Sequence, residues 1–423
     1  MIGSFTKKNR LINNFFSLSA VQAVNYIVPL ITVPYLLRTI GTEKYGLLAL
    51  AGSFAAYFQV ISDYGFNLTG VRDISQNRHD NDALSRIMSE IMSAKLFLLL
   101  ISIILAFPII HFVPRLNADI YVYYWACIGA AGNSFFPVWF FQGIEKMAIL
   151  ATLNIASRVV NLLLMFVFIR KPEDFINLLY ITAVCSWAIT VIGIMVVVQS
   201  VRIRISIKNA TTVLRSGFGI FTSQLWAAIL ASSNTFALGL FYSNKAVGVY
   251  AVADKIVKAA ICLGVPLCSA IYPRAGILFK QSEKTAYLFL RKVMLLGGIY
   301  MASVSILLFV FANIVADLIV GHHVPDVAVL IRLLSILPFT VFIDNIYGRQ
   351  ILLNIGYEKQ VVRIIGISAA VTILLLLSLV PAFGPTGAAL SYLFSEALVL
   401  VLMGVALWRI GVSPFLTARI LKK

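Results

Sequence analysis

Twelve separate runs of mostly apolar residues, each about the ~20 residues a helix needs to cross the hydrocarbon core of a bilayer, constrain this chain more than any other feature. They fall at 11–37, 45–66, 91–112, 120–141, 147–169, 175–198, 217–241, 247–272, 293–320, 327–353, 361–382 and 386–408. Composition agrees: of 423 residues, 60% are hydrophobic and only 12% charged, with a mean hydropathy of +0.94. A soluble domain has to clothe much of its surface in polar groups. The solvent for these side chains is therefore lipid, and the expected fold is an all-α membrane bundle of about twelve transmembrane helices.

The formal net charge of +17, from 34 Lys and Arg against 17 Asp and Glu, would suggest a polyanionic partner in a soluble protein. In a membrane protein, cytoplasmic loops collect Lys and Arg, so nucleic acid is not implied. With the N-terminus in the cytoplasm, the outer side receives Arg38, Lys44, Arg115, Arg170, Lys171, Lys245 and Arg332, while Lys95, Arg158, Lys255, Lys258 and Arg349 lie within spans. The remaining 22 of the 34 basic residues are inside. That asymmetry predicts both termini cytoplasmic and an even helix count. Lys7, Lys8 and Arg10 precede the first run as in a signal peptide, yet the run is too long and lacks a small-residue cleavage site; it is read as an uncleaved span. Cys127, Cys185, Cys262 and Cys268 all sit in apolar runs and form neither a disulfide framework nor a zinc site.

An internal repeat organises the chain. The second run opens with Tyr45-Gly46 and the eighth with Val247-Gly248; Gly143-Ile144-Glu145-Lys146 follows the fourth, and Gly356-Tyr357-Glu358-Lys359 the tenth. Both matches map helix n onto helix n+6. Six is even, so the halves share one membrane orientation, as in transporters built from parallel repeats with a substrate cavity between them. The expected organisation is an N-terminal six-helix lobe over 1–200, a cytoplasmic linker over 201–216, a C-terminal six-helix lobe over 217–410 and a cytoplasmic tail over 411–423. Pro29, Pro34, Pro108, Pro137, Pro266, Pro273 and Pro338 lie within or at the edges of spans and should kink or break them.

Catalytic signatures are absent. Asp80-Asn81-Asp82 has the form of a metal and sugar-nucleotide motif but lies in a short loop, where a solvated turn is the simpler reading. His322-His323 offer too few ligands for a metal. There is no GxxxxGK[ST] phosphate loop, and the outer loops are too short to house an enzyme. No cofactor, metal or catalytic residue is expected.

Charges in the membrane carry the functional signal, because each costs at least ~2.5–3.5 kcal/mol near the bilayer centre and normally faces a partner or a wet cavity. Lys95, Arg349, Asp63 and Asp344 lie towards cytoplasmic ends, where side chains can snorkel. Arg158, Lys258 and Glu396 lie near the middle of their spans, and Lys255 and Lys258 share a helical face with Asp254 four residues before Lys258. One reading neutralises Lys258 with Asp254 and Arg158 with Glu396. The other is a cationic lining for an anionic substrate made of Lys255, Lys258 and Arg158, with Arg72 at the cytoplasmic entrance and Asp254, Glu396 or Asp63 as the site of ion coupling.

Several segments resemble the Wzx-type O-antigen flippases of the multidrug/oligosaccharidyl-lipid/polysaccharide exporter superfamily. They are Pro34-Tyr35-Leu36-Leu37-Arg38-Thr39-Ile40-Gly41 with Tyr45-Gly46, Asp63-Tyr64-Gly65-Phe66-Asn67-Leu68-Thr69, Pro137-Val138-Trp139-Phe140-Phe141-Gln142-Gly143-Ile144-Glu145-Lys146 and Ile271-Tyr272-Pro273-Arg274. In these motifs Tyr45-Gly46 and Gly65 are expected at helix ends, with Asp63 and Asn67 capping backbone groups. The resemblance implies movement of undecaprenyl-pyrophosphate-linked repeat units from the cytoplasmic to the periplasmic leaflet of a bacterial inner membrane, for lipopolysaccharide biosynthesis. Alternating access through a cationic cavity between two lobes, H+ or Na+ as coupling ion, and partners in the O-antigen polymerase and chain-length machinery are implied with it. Lipid II flippases carry arginines on the first helix; here Asn13, Asn14, Gln22 and Asn25 stand there instead, so that branch's diphosphate contacts are not carried over. The alternative within the superfamily is a drug or cation antiporter. A cation exporter should bury net negative charge, whereas the five deepest charges here are three basic (Arg158, Lys255, Lys258) and two acidic (Asp254, Glu396).

Overall fold

In lipid each apolar run must close its backbone hydrogen bonds within itself. The computed structural model describes residues 2–205, 207–321 and 324–413, with side chains from Val21 onward except at 22, 23, 25, 26, 207–212 and 216, and every regular element among them is helical. His322-His323, the tail beyond 413, and the side chains of Lys7, Lys8, Arg10, Asn13, Asn14, Gln22, Asn25 and Lys208 lie outside the described residues.

The elements are α1 (Ile2–Asp63), α2 (Phe66–Gln76), α3 (Asn81–Phe112), α4 (Pro114–Asn117), α5 (Ile120–Phe135), α6 (Val138–Gly143), α7 (Met147–Phe168), a 3-10 turn (Pro172–Ile176), α8 (Asn177–Val198), α9 (Ile207–Phe241), α10 (Asn244–Cys262), α11 (Val265–Gln281), α12 (Glu283–Val310), α13 (Ala312–Val320), α14 (Pro325–Leu334), α15 (Leu337–Asn345), a π-helical turn (Ile346–Leu352) and α16 (Glu358–Arg409). Nine helical stretches among the described residues are long and apolar enough to cross a membrane. Two of them are divided, by Gly41 (φ 77, ψ 167) and Gly384 (φ 57, ψ −130), in backbone states that residues with a side chain rarely adopt. With α5 and α6 as one further pass, the described residues make twelve, near the positions the apolar runs predict.

Three of the seven prolines expected to kink or break spans mark where passes break, while Pro29, Pro34, Pro108 and Pro273 lie inside helices that run on through them. Pro137 separates α5 from α6, while Pro266 and Pro338 stand in the first turns of α11 and α15, where a missing N–H costs nothing. The expected helix end at Tyr45-Gly46 is displaced: the break lies at Gly41, and Gly46 is buried inside the helix. The Gly-x-Glu-Lys matches also differ in conformation, since the positive φ falls on Glu145 (61°) in the first and on Gly356 (86°) in the second. Gly143 is instead a packing position.

Residues Met1–Ala228 and Ile229–Lys423 form two compact units. Within the first, α5 and α8 approach through small residues, as is usual where lipid removes the hydrophobic drive for helix association. Ser186 Oγ donates to Gly129 O (3.1 Å) and Thr190 Oγ1 to Gly132 O (2.6 Å). Residues 201–205 return along α3, whose Ser85 and Ser89 hydroxyls accept from the Arg202 and Arg204 amides at 3.1 and 2.9 Å. Asp80 of the DxD-like loop caps α3, its Oδ1 accepting from the Asp82 and Ala83 amides at 3.0 Å, which is the structural role expected of a turn. In the 3-10 turn before α8, the Arg170 and Lys171 amides donate to Asp174 (both 3.0 Å) and hold its carboxyl below the ordinary range. In the second unit, α12 packs on α15 with Gly297 against Phe342, and buried Gln350 of the π turn donates to Cys268 O at 2.9 Å.

The α2/α6 contact offers a test of this packing. A Cβ at Gly70 would lie 2.9 Å from the Trp139 ring, and one at Gly143 would lie 2.6 Å from Ile74 Cβ and 3.2 Å from Val71 O. Gly143→Val should therefore lower stability by ~1–3 kcal/mol through overpacking, seen as a lower thermal unfolding midpoint in detergent; an unchanged midpoint would show that α2 moves away freely.

Candidate functional site

On α10, residues four apart meet on one face, and Asp254 Oδ2 lies 2.8 Å from Lys258 Nζ. Lys258 also donates to Ala231 O of α9 at 3.2 Å. Asp254 is buried (8% exposed), and Lys258 is half-buried. Lys255, one turn earlier, is exposed. The α10 lysines thus differ in burial: Lys258 is half-buried beside a carboxylate and Lys255 is exposed. Glu396 of α16 is half-buried, within electrostatic reach of both Lys258 and Asp344, and no cation lies within salt-bridge distance of it among the described residues. Asp344 does not snorkel: its Oδ1 is buried and has no hydrogen-bond partner.

In the first unit, α7 presents Asn154, Ser157, Arg158 and Asn161 at spacings of three, four and seven, which is one helical stripe. They line a cavity of about 260 Å³ together with Asn133 of α5 and Thr182, Cys185 and Ser186 of α8. Among the described residues no carboxylate comes within salt-bridge distance of Arg158, so within its own unit its charge is not neutralised by an acid.

Asp63 and Lys95 correct the expectation of snorkelling and capping. Lys95 is completely buried, and its ammonium sits 2.8 Å from Asp63 Oδ1 and on the Ser134 carbonyl. Ser134 Oγ donates to the same Asp63 oxygen at 3.0 Å, and Gln59 Nε2 reaches Oδ2 at 3.4 Å. Asp63 therefore joins α1 to α3 and α5 rather than capping α2, whose N-cap is Gly65 (φ 81) with no side-chain cap; Asn67 Oδ1 is buried without a partner. Arg72, on α2, is exposed and pairs with neighbouring Asp73 at 3.0 Å.

The model of the family described as polysaccharide biosynthesis protein matches residues 11–279, well over half of the chain. The chain belongs to that family. Two relatives bear the name "Putative O-antigen transporter": one from Escherichia coli (strain K12), 29% identical over 406 residues and covering 94% of this chain and 97% of its own, and one from Shigella dysenteriae, 25% identical over 404 residues and covering 92% and 98%. Among solved structures, the lipid II flippase MurJ in an inward closed conformation shares the fold at a TM-score of 0.68 and 12% identity (96% of this chain, 89% of that one). The multidrug transporter DinF-BH does so at 0.61 and 17% (97% and 96%). Both likenesses concern the fold alone.

Within this polysaccharide biosynthesis family member, two of the motifs that carry the resemblance contribute to the core of the first unit. Tyr64, Phe66, Phe136, Trp139, Phe140 and Phe141 belong to one buried apolar cluster with Ile74 and Met88. Two features escaped the sequence reading. The Asp63–Lys95 pair joins residues 32 apart and has no local signature; the α7 polar stripe had one, in the spacing of Asn154 and Asn161 around Arg158.

Proposed function

We propose that this protein is a flippase that moves undecaprenyl-pyrophosphate-linked O-antigen repeat units from the cytoplasmic to the periplasmic leaflet of the bacterial inner membrane by alternating access. The observation that carries this reading is Arg158, an arginine in the middle of an apolar pass, exposed on the wall of a polar cavity with no acid of its own unit within salt-bridge distance among the described residues, in a chain whose near-full-length relatives are named for O-antigen transport. Lys255, Lys258 and Arg158 contact the anionic parts of the cargo, and Arg72 receives the diphosphate from the inner leaflet. Ion coupling, by H+ or Na+, falls to Glu396, because Asp254 and Asp63 are each held by a lysine while Glu396 has no such partner among the described residues. Both termini are cytoplasmic, the repeat halves are the lobes 1–200 and 217–410, and the polymerase and chain-length machinery take over the product.

Deletion of the gene should abolish surface O-antigen while lipid-linked repeat units accumulate on the inner leaflet, and a plasmid copy should reverse both. Single repeat units on the outer lipopolysaccharide would instead mark a polymerase defect and overturn the proposal.

A further inference from the structure

We infer that the Arg158 cavity is a self-contained subsite for one sugar of the cargo, in which the guanidinium takes a carboxylate carried by that sugar. The inference rests on the flippase reading and assigns this pocket a role separate from diphosphate binding.

The argument begins with the walls. Three amides, Asn133, Asn154 and Asn161, and the hydroxyls of Ser157 and Thr182 line the same cavity as Arg158, on three helices of the first unit. An amide both donates and accepts, as a ring of sugar hydroxyls requires, whereas a diphosphate offers acceptors only. The amides are partly committed already: Asn154 Nδ2 donates to Leu150 O at 2.9 Å and Asn161 Nδ2 to Thr182 Oγ1 at 3.3 Å. Those bonds use one of the two N–H donors of each amide and fix the side chain; the carbonyl oxygen beside it is an acceptor that a sugar hydroxyl satisfies and an unprotonated phosphate oxygen cannot.

Size supports a single ring. About 260 Å³ falls just below the ~300–1,000 Å³ of sites for drug-sized molecules, too small for an oligosaccharide. Arginine supplies the anion contact: its planar fork matches two oxygens of a carboxylate as it does a phosphate, so the preference for a sugar acid comes from the amides and hydroxyls that line the cavity with it. Arg158 is not already occupied by an acid of its own unit among the described residues. Lys258 directs two of its three donors at Asp254 and a backbone carbonyl and has one left for the cargo.

The test uses the purified full-length protein in detergent and saturation-transfer NMR with sodium glucuronate, glucose and inorganic pyrophosphate. Glucuronate should receive saturation and glucose much less; pyrophosphate added at the same concentration should not displace glucuronate. Arg158→Gln should weaken glucuronate about ten- to a hundredfold, the loss typical of a hydrogen-bonded charge, with an unchanged unfolding midpoint. Should Arg158→Gln fail to fold, Asn161→Ala retains the arginine and should weaken glucuronate and glucose alike. Displacement by pyrophosphate would assign the oxyanion to the lipid diphosphate and overturn the inference, as would glucuronate binding equally to wild type and Arg158→Gln. The flippase reading is checked apart from this by complementation with the wild-type gene. Failure there with glucuronate binding intact strikes the transport assignment, while restored O-antigen without glucuronate binding strikes only the subsite.

Discussion

Lys95→Met should destabilise the first unit by about 3–5 kcal/mol, because removing one partner of a buried ion pair strands the other charge. Lys95 is fully enclosed, and its loss leaves Asp63 with only the Ser134 hydroxyl at 3.0 Å and the distant Gln59 amide. The expected readout is a large drop in membrane-inserted protein and in the unfolding midpoint in detergent. Asp63→Leu combined with Lys95→Met should recover much of the loss, since two apolar side chains need no compensation, and the double-mutant cycle should return a coupling of the size seen for contacting residues, ~0.5–3 kcal/mol or more. Equal stability of the single and double variants would mean that Asp63 finds water or another donor, and the pair would lose its structural role.

That pair also explains the geometry after α1. Asp63 is the last residue of the helix, Tyr64 and Gly65 follow at φ 48 and 81, and the Tyr64 ring stacks on Phe221 of α9 at 4.4 Å. Fixing Asp63 fixes the elbow, and with it the seat of α9 in the first unit.

What the sequence disclosed depended on how local the physics was. The apolar runs declared the passes because lipid forbids unpaired backbone, and Pro137, Pro266 and Pro338 announced breaks because a proline lacks the N–H a helix needs. Asp254 and Lys258 were legible as a pair because four residues make one helical turn. Lys95 was misplaced because depth along a span says nothing of what stands across from it; its partner is on another helix. Gly143 looked like half of a repeated turn, whereas its lack of a side chain admits Ile74. The Arg158 pocket was half visible: the α7 stripe is local, while Asn133 and Thr182 reach it from α5 and α8 only in the folded unit.

Lys258→Gln should lower surface O-antigen by on the order of tenfold or more, the loss of one charge-assisted contact to the cargo, and it should also reduce the protein level. The second effect follows from the pairing: Asp254 is 8% exposed, and without the ammonium at 2.8 Å its charge has no compensation in a medium that disfavours it. A transport defect in the single variant therefore mixes two causes. Asp254→Asn combined with Lys258→Gln separates them, because an amide beside an amide leaves no stranded charge; that double variant should reach wild-type level in the membrane yet still leave lipid-linked units on the inner leaflet. Adding Lys255→Gln, whose side chain is exposed, should deepen the transport defect without further loss of protein. If the double variant displays normal O-antigen, Lys258 serves only to balance Asp254 and the cargo's charge is met elsewhere.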